Sequence, residues 1–205
     1  MALANYTDLQ ASIADTLNRD DLTAKIPDFI AMAEGIMNRS VRHWRMEDRA
    51  TALLDTQYTS LPNNFAEPIR MTITAPDISV MEVVGSLEIS RLRAANKDTK
   101  GTPTNFAIMD QTIEVFPTPD ADYTLEMVYY ETLPPLATNG TNWLLKNYPE
   151  AYVYGSLLHS APYLQEDERL AVWSGLYQSS ISGINEDGIK AKTSGAGRRI
   201  KIRSY

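Results

Sequence analysis

The sequence contains no cysteine and only two histidines, His43 and His159. The lack of cysteine excludes disulfides, thiolate zinc sites, iron–sulfur clusters and cysteine nucleophiles. His43 is followed by Trp, Arg and Met, and no acidic residue lies three or four positions from His159, so neither has the spacing of a metal-binding pair. We therefore interpret both as structural residues and predict neither a metal ion nor a cofactor.

Long hydrophobic runs are also missing. No segment approaches the roughly 18 apolar residues of a membrane span, and the start, MALANYTDLQ, lacks the basic and apolar regions of a signal peptide. We expect a protein that neither spans a membrane nor is exported by that route. Its 205 residues, 43% of them hydrophobic, are enough to bury the core of one large domain or two small ones.

The net charge is acidic but unevenly distributed. Residues 188–205 contain six basic side chains and no acid, whereas the rest of the chain contains 13 basic and 26 acidic side chains. The charge is therefore +6 on this C-terminal segment and −13 on the body. The acidic pI of about 4.9 argues against a protein that coats nucleic acid generally, and the composition as a whole does not favour an enzyme.

Proline is scarce outside the middle of the chain. Eight of the 11 prolines lie between Leu61 and Pro135, and proline breaks the interior of a helix. We therefore expect helices in the two flanks and strands in the middle. The eight are Pro62, Pro68, Pro76, Pro103, Pro117, Pro119, Pro134 and Pro135.

The first flank has the periodicity of two helices. Thr7 and Gln10 have the form of a capping box, and Leu9, Ile13 and Leu17 recur along one face, which predicts a short first helix. A second helix is predicted from about Pro27 to Arg45, with an apolar stripe on one side. Its other face is expected to contact water or a partner and carries Asp28, Glu34, Asn38, Arg39 and Arg42.

The middle of the chain alternates polar and apolar residues with the period of strands. TIEVFP and YTLEMVYYE are typical of β structure. Turns at Asp110-Gln111 and at PTPDAD predict an antiparallel three-stranded meander over residues 104–130. LEISRLRAANK is interpreted as a strand end that runs into a helical turn.

The second flank predicts two more helices, in PEAYVYGSLLHSA and EDERLAVWSGLYQSSISGI. The predicted fold class is α+β: a helical bundle formed by the N- and C-terminal helices, an inserted antiparallel β domain and an extended basic C-terminal tail. The predicted boundaries are 1–49 with 140–187 for the bundle, 50–139 for the β domain and 188–205 for the tail.

Other candidate sites have simpler explanations. Adjacent acids occur at Asp20/Asp21, at Glu47/Asp48 and at 166–168, and a glycosidase uses two carboxylates across a cleft, but acids also collect at helix starts and surfaces. The glycines of GTPTN and SGAGRR lack the setting of a phosphate loop. No serine lies on a nucleophile elbow. We predict no catalytic residues.

Aromatic residues are concentrated between Trp143 and Tyr177, where seven of the 18 are found. Such side chains form either an aromatic core or a protein–protein interface. Both interpretations use the same residues and stay open.

The basic tail is the candidate binding segment. Three interpretations of it stay open. It can be a solvated tail, a segment that binds nucleic-acid phosphates, or an extended segment that docks on an acidic protein with Ile200 and Ile202 on one edge. The candidate partner-binding residues are Lys190, Lys192, Arg198, Arg199, Ile200, Lys201, Ile202, Arg203 and Tyr205.

The order of several motifs resembles a known family. They are Tyr6-x-x-Leu9, RDDL at 19–22, IPDFIAMAEGIMNRSVR, LPNNFAE at 61–67, VYY at 128–130, LPPL at 133–136, NWLLKNYPEAYVYGSLLHSAPYLQEDE and Trp173. Together they resemble the head-to-tail adaptors of short-tailed phages, specifically the SU10-type adaptor family, over nearly the whole chain.

This resemblance implies a structural virion protein. Such adaptors form a ring, typically of twelve copies, between the portal protein and the tail nozzle protein, and genomic DNA passes through the lumen without specific binding. Family members combine a helical bundle, an inserted β domain and a C-terminal extension along the portal. The resemblance thus implies a protein made in the host cytoplasm and located in the virion neck. Alternatives are another neck, tail or nozzle component, a DNA-binding module that uses its tail, and a glycan hydrolase with paired carboxylates.

Overall fold

The computed structural model describes residues 3–97, 99–164 and 168–194. The chain divides into two compact units. The described residues of Met1–Met46 and Leu133–Tyr205 form the first, which we call the helical unit, and Glu47–Thr132 forms the second, which we call the β unit. The α+β class predicted from the sequence is confirmed.

The regular elements follow in chain order. The helices are α1 (Tyr6–Leu17), α2 (Ile26–Ser40), α3 (Ser86–Ala95), α4 (Leu136–Asn139), α5 (Trp143–Asn147), α6 (Pro149–His159) and α7 (Arg169–Thr193), with 3-10 turns at Asp20–Lys25, Trp44–Met46 and Ala161–Tyr163. The strands are β1 (Glu47–Leu54), β2 (Tyr58–Ser60), β3 (Phe65–Ala75), β4 (Ser79–Val83), β5 (Asn105–Met109), β6 (Thr112–Phe116) and β7 (Tyr123–Glu131).

Helix α1 begins earlier than its predicted capping box. The Asn5 side chain accepts a hydrogen bond from the Asp8 N–H at 3.0 Å and donates one to the Asp8 carboxylate at 2.9 Å. The capping pair is therefore Asn5 and Asp8, and the prediction of Thr7 and Gln10 is wrong because Asn5 satisfies the first free N–H groups of the helix. Leu9, Ile13 and Leu17 are buried, which confirms the predicted apolar face.

Helix α2 ends at Ser40, five residues before the predicted end at Arg45. Val41 is extended, with φ −91° and ψ 129°. The Asn185 side chain of α7 accepts from the Arg42 N–H at 2.7 Å and donates to the Ser40 carbonyl at 3.0 Å. These two bonds satisfy the backbone groups that a continued helix would have paired.

Helix α6 packs against α1, α2 and α7 within the helical unit. A Cβ on Gly155 would lie 3.0 Å from the Tyr177 ring, 3.1 Å from the Met37 methyl and 3.3 Å from Ala33. The absence of a side chain at Gly155 is what allows α2 and α7 to approach α6 so closely.

The β unit contains one seven-stranded sheet in the order β1-β7-β3-β4-β5-β6-β2. The predicted hairpin at Asp110-Gln111 is confirmed, since Met109 pairs with Thr112 and Asp110 takes a φ of 53°. The predicted meander is wrong, because β7 lies between β1 and β3 and not beside β6. Strands β1 and β3 are longer than β6, and the alternate apolar side chains of β7 are buried in one cluster with theirs. The prediction of an antiparallel β domain is also wrong in part, because β4 and β5 run parallel.

The segment LEISRLRAANK contains a helix, α3, and not the predicted strand end. Ile89 is fully buried against Ala107 and Phe116. Arg93 donates to the Glu114 carboxylate at 3.1 Å, to Thr118 Oγ1 at 2.9 Å and to the Val115 carbonyl at 3.0 Å. Arg93 is thus the polar anchor that fixes α3 on β6.

We expect Arg93→Ala to lower the free energy of unfolding by about 2 kcal/mol, because the largely buried Glu114 loses its charged partner. The matched control is Arg91→Ala, since Arg91 pairs with Glu88 in an exposed i,i+3 contact at 3.5 Å that contributes about 0.5 kcal/mol or less. Urea unfolding followed by circular dichroism measures both. Equal losses in the two variants would contradict the anchoring role of Arg93.

Candidate functional site

The C-terminal end of α7 contains the first part of the predicted tail. Lys190 and Lys192 lie in the last turns of the helix, which continues through Thr193. The prediction of an extended segment is therefore wrong for residues 188–193: the Ser194 N–H still bonds to the Lys190 carbonyl at 2.9 Å, and lysines favour a helix C-terminus. The candidates Arg198, Arg199, Ile200, Lys201, Ile202, Arg203 and Tyr205 lie outside the described residues.

Two contacts hold this end of α7 against the segment that follows α2. Asn185 bonds to the backbone of Ser40 and Arg42. One turn further on, a Cβ on Gly188 would lie 3.1 Å from the Arg42 carbonyl oxygen and 3.2 Å from the His43 Cα. The start of the basic tail is therefore fixed to the helical unit by an amide and a glycine.

An aromatic cluster surrounds the same segment. The buried His43 ring stacks on Trp143 at 4.9 Å between centroids and meets the edge of Tyr148 at 6.2 Å. Its Nδ1 accepts from the Arg45 N–H at 3.2 Å. His43 is packed as the structural interpretation predicted. The other histidine, His159, is partly buried, and burial lowers its pKa.

A buried polar network connects α2 with the C-terminal flank. Glu34 Oε1 accepts from the Leu136 N–H at 2.9 Å and from the Tyr152 hydroxyl at 3.3 Å. Asn142 donates to the Tyr152 hydroxyl at 2.6 Å and to the Pro134 carbonyl at 3.1 Å. The network joins parts of the chain about 100 residues apart within the helical unit.

The network overturns part of the predicted solvent face of α2. Glu34 is buried, and Asn38 accepts from the Leu133 N–H at 2.7 Å. Helical periodicity did not reveal this, because a buried carboxylate looks like a surface residue until its partners are known. Burial raises the pKa of Glu34, while its two hydrogen bonds oppose that shift. Asp28 and Arg39 do lie on the exposed face.

Two surfaces of the helical unit have apolar side chains that the described residues leave exposed. The first, which we call the α2 face, consists of Asp28, Ala31, Met32, Gly35 and Arg39 on the exposed side of α2, with Met32 45% exposed. The second, which we call the α6/α7 groove, is a cavity of about 350 Å³. Its lining includes Glu150, Tyr154, Leu176, Ser179, Gly183 and Asp187.

The β unit has an exposed apolar segment of its own. Ile78 is 81% exposed, and Val80, Val83 and Leu87 are each more than 60% exposed. Exposed apolar residues of this size are typical of protein contact surfaces where they form a contiguous patch. The described residues contain no cluster of three or more His, Asp or Glu side chains that could hold a metal ion.

A comparison with models of protein families matches the one described as SU10 adaptor protein over residues 4–200, which is almost the entire chain. The chain therefore belongs to the SU10 adaptor family. No curated protein matches it. The SU10 adaptors are structural proteins of phages, and membership implies a place in the virion neck and association with other neck proteins.

In this SU10 adaptor two of the paired acids, Asp21 and Asp48, have structural contacts. Asp21 pairs with Arg19 at 2.7 Å on the surface, and this hydrogen bond lowers the pKa of Asp21. Asp48 accepts from the Tyr129 hydroxyl at 3.0 Å; burial and Asp48 raise the pKa of Tyr129 to about 12. Glu168 precedes the first turn of α7, and 166–167 lie outside the described residues.

None of the helices in the described ranges is long and apolar enough to cross a membrane.

The aromatic concentration divides between the core and the surface of the helical unit, and its role as a protein interface stays a prediction. Tyr152 is fully buried and Trp173 nearly so, whereas Tyr148 and Tyr154 line the α6/α7 groove. The spacing of two between Tyr152 and Tyr154 could have indicated this, because such residues point to different sides of a helix.

We expect Gly188→Ala to lower the free energy of unfolding by about 1–3 kcal/mol, because the added methyl meets backbone atoms that cannot rotate away. Gly175→Ala is the matched control, since a Cβ there meets nothing within 4 Å, and it should raise stability by about 0.5–1 kcal/mol through helix propensity. Urea unfolding compares the two. A loss of stability in both variants would contradict the close approach at Gly188.

Glu34 should make stability depend on pH. Because its folded pKa is raised, the folded state binds more protons than the unfolded state between the ordinary pKa of about 4.3 and the raised value. The stabilising contribution is complete below that window and is lost as the pH rises through it. Glu34→Gln keeps an acceptor and removes the titration, so its stability relative to the native chain should increase from pH 4 to pH 8. A difference that does not change with pH would contradict this.

Proposed function

We propose that this SU10 adaptor assembles with further copies into a head-to-tail adaptor ring of twelve. The ring would join the portal protein to the tail nozzle protein, enclose part of the channel for DNA and act without catalysis. The observation that carries the proposal is the family match over residues 4–200. The helices at both ends of the chain and the β unit inserted between them agree with the plan that the family implies.

The presence of two different exposed surfaces on the helical unit supports a ring. In a cyclic ring each subunit uses two different surfaces, one toward each neighbour. The α2 face and the α6/α7 groove are two such surfaces, since they are formed by different residues and both expose apolar side chains. A subunit with a single self-complementary surface would form a dimer instead.

The charge distribution supports a channel for DNA. The −13 body repels phosphates, so that DNA would slide through the lumen without adhering. The +6 on residues 188–205 would be attracted to an acidic portal surface. Asn185 and Gly188 hold the end of α7, which precedes the remaining basic residues in the sequence, in place on the helical unit.

The test is light scattering on size-exclusion fractions of the full chain, alone and mixed with the portal protein of the same virus. We expect a ring-sized complex. Replacing Arg198, Arg199, Lys201 and Arg203 by serine should weaken portal binding at least tenfold and reduce its salt dependence. The control variant removes the same number of charges from the exposed body lysines Lys25, Lys97, Lys100 and Lys146 and should bind normally.

Two results would contradict the proposal. If the native chain does not bind the portal protein, the result favours the alternative that this adaptor occupies another position in the neck or nozzle. Equal weakening in the two variants would show that only net charge matters, and would remove the specific role of the tail.

A further inference from the structure

We infer that, in the ring proposed above, the α2 face of one copy occupies the α6/α7 groove of the next copy. The occupant is therefore a second copy of this chain. The inference rests on the proposed ring and adds the surfaces through which neighbouring subunits make contact.

Charge complementarity is the first argument. Glu150 and Asp187 both line the groove. Their contacts within the described residues are long: Asp187 pairs with Lys190 at 3.6 Å and accepts from the Tyr148 hydroxyl at 3.4 Å, and Glu150 accepts from the Ser180 hydroxyl at 3.5 Å. On the α2 face, Arg39 is exposed, and its hydrogen bond within the described residues is to the Gly35 carbonyl at 3.1 Å. An exposed arginine and an acidic groove on the same subunit suit a contact between two copies.

Apolar complementarity is the second argument. Leu176 is 41% exposed on the rim of the groove, and Met32 is 45% exposed on the α2 face. Small residues flank both, namely Ala31 and Gly35 on α2 and Ser179 and Gly183 on α7. Small side chains let two helices approach, and a flexible methionine adapts to an irregular groove.

Relative height along the helices is the third argument. Within one subunit, Ala33 and Met37 lie level with Tyr177 of α7, since all three converge on Gly155. Further along, Ser40 lies level with Asn185. Helices α2 and α7 therefore run in the same direction. Met32 to Arg39 rises about 10 Å and Leu176 to Asp187 about 16 Å, so that the Arg39 side chain has about 6 Å left to span.

A closed ring requires equal heights of this kind. Its subunits are related by rotation alone, with no displacement along the axis. When α2 and α7 run along that axis, Met32 of one copy faces Leu176 of its neighbour, and the long Arg39 side chain extends to Asp187. Asp28, the acid on the same face, lies 11 residues from Arg39, about 16 Å along the helix, and so does not oppose Asp187.

Disulfide cross-linking tests the inference directly, because the native chain has no cysteine. The variant Gly35→Cys/Ser179→Cys places one thiol on each surface at the same height, and a Cβ on Gly35 meets nothing within 4 Å. Rings are assembled on the portal protein, their size is confirmed by light scattering, and the thiols are oxidised. We expect a ladder of covalent multimers that extends to the size of the ring.

The single variants Gly35→Cys and Ser179→Cys are the controls. Each should give no covalent multimer, because a head-to-tail contact does not bring identical residues together. Dimers from either single variant would overturn the inference in favour of a symmetric contact. Rings of normal size without the ladder would overturn it and leave the proposed function intact, whereas failure of the native chain to form a ring would overturn both.

Charge exchange gives a second test that needs no cysteine. Arg39→Glu and Asp187→Arg alone should each reduce the yield of rings at least tenfold, and the double variant Arg39→Glu/Asp187→Arg should restore it to within about threefold of the native chain. Asp15→Arg, at an exposed position of α1 outside both surfaces, is the control and should leave the yield nearly unchanged. Failure of the double variant to recover, with folding confirmed by circular dichroism, would overturn the inference.

Discussion

The position of α7 depends on the amide side chain of Asn185. Helix α2 stops where it does because this one side chain pairs with both the Ser40 carbonyl and the Arg42 N–H. Two backbone groups without partners would each cost about 1–3 kcal/mol, so the end of α2 and the course of α7 are determined together. The α6/α7 groove and the start of the basic tail both follow from that course, because each is built on the part of α7 that Asn185 holds.

Features encoded by neighbouring residues were predictable. The buried stripe of α2, the helix that begins at Pro149 and the two-residue turn at Asp110-Gln111 were all predicted from patterns shorter than 20 residues. Hydrophobic periodicity reports which side of an element is buried, and turn residues report where a strand reverses. Neither depends on knowing what lies opposite, which is why these predictions are confirmed.

Features encoded by distant residues were not predictable. Glu34 became a buried acceptor only because Leu136 and Tyr152 meet it from more than 100 positions away. Strand β7 pairs with β1 and β3, and not with β6 as predicted, because β1 and β3 are longer strands. For the candidate site the same limit applies. The charge of the tail could be read from composition, but the groove requires Glu150 of α6 and Asp187 of α7 to line the same cavity, and no local pattern indicates that.

The two ends of the β unit lie side by side. Its first residue, Glu47, pairs with Tyr130, one position before the last residue of β7. The chain therefore enters and leaves this unit on adjacent antiparallel strands, whose Cα atoms are separated by about 5 Å. A short turn could span that gap, so an insertion of this size places almost no geometric demand on its host.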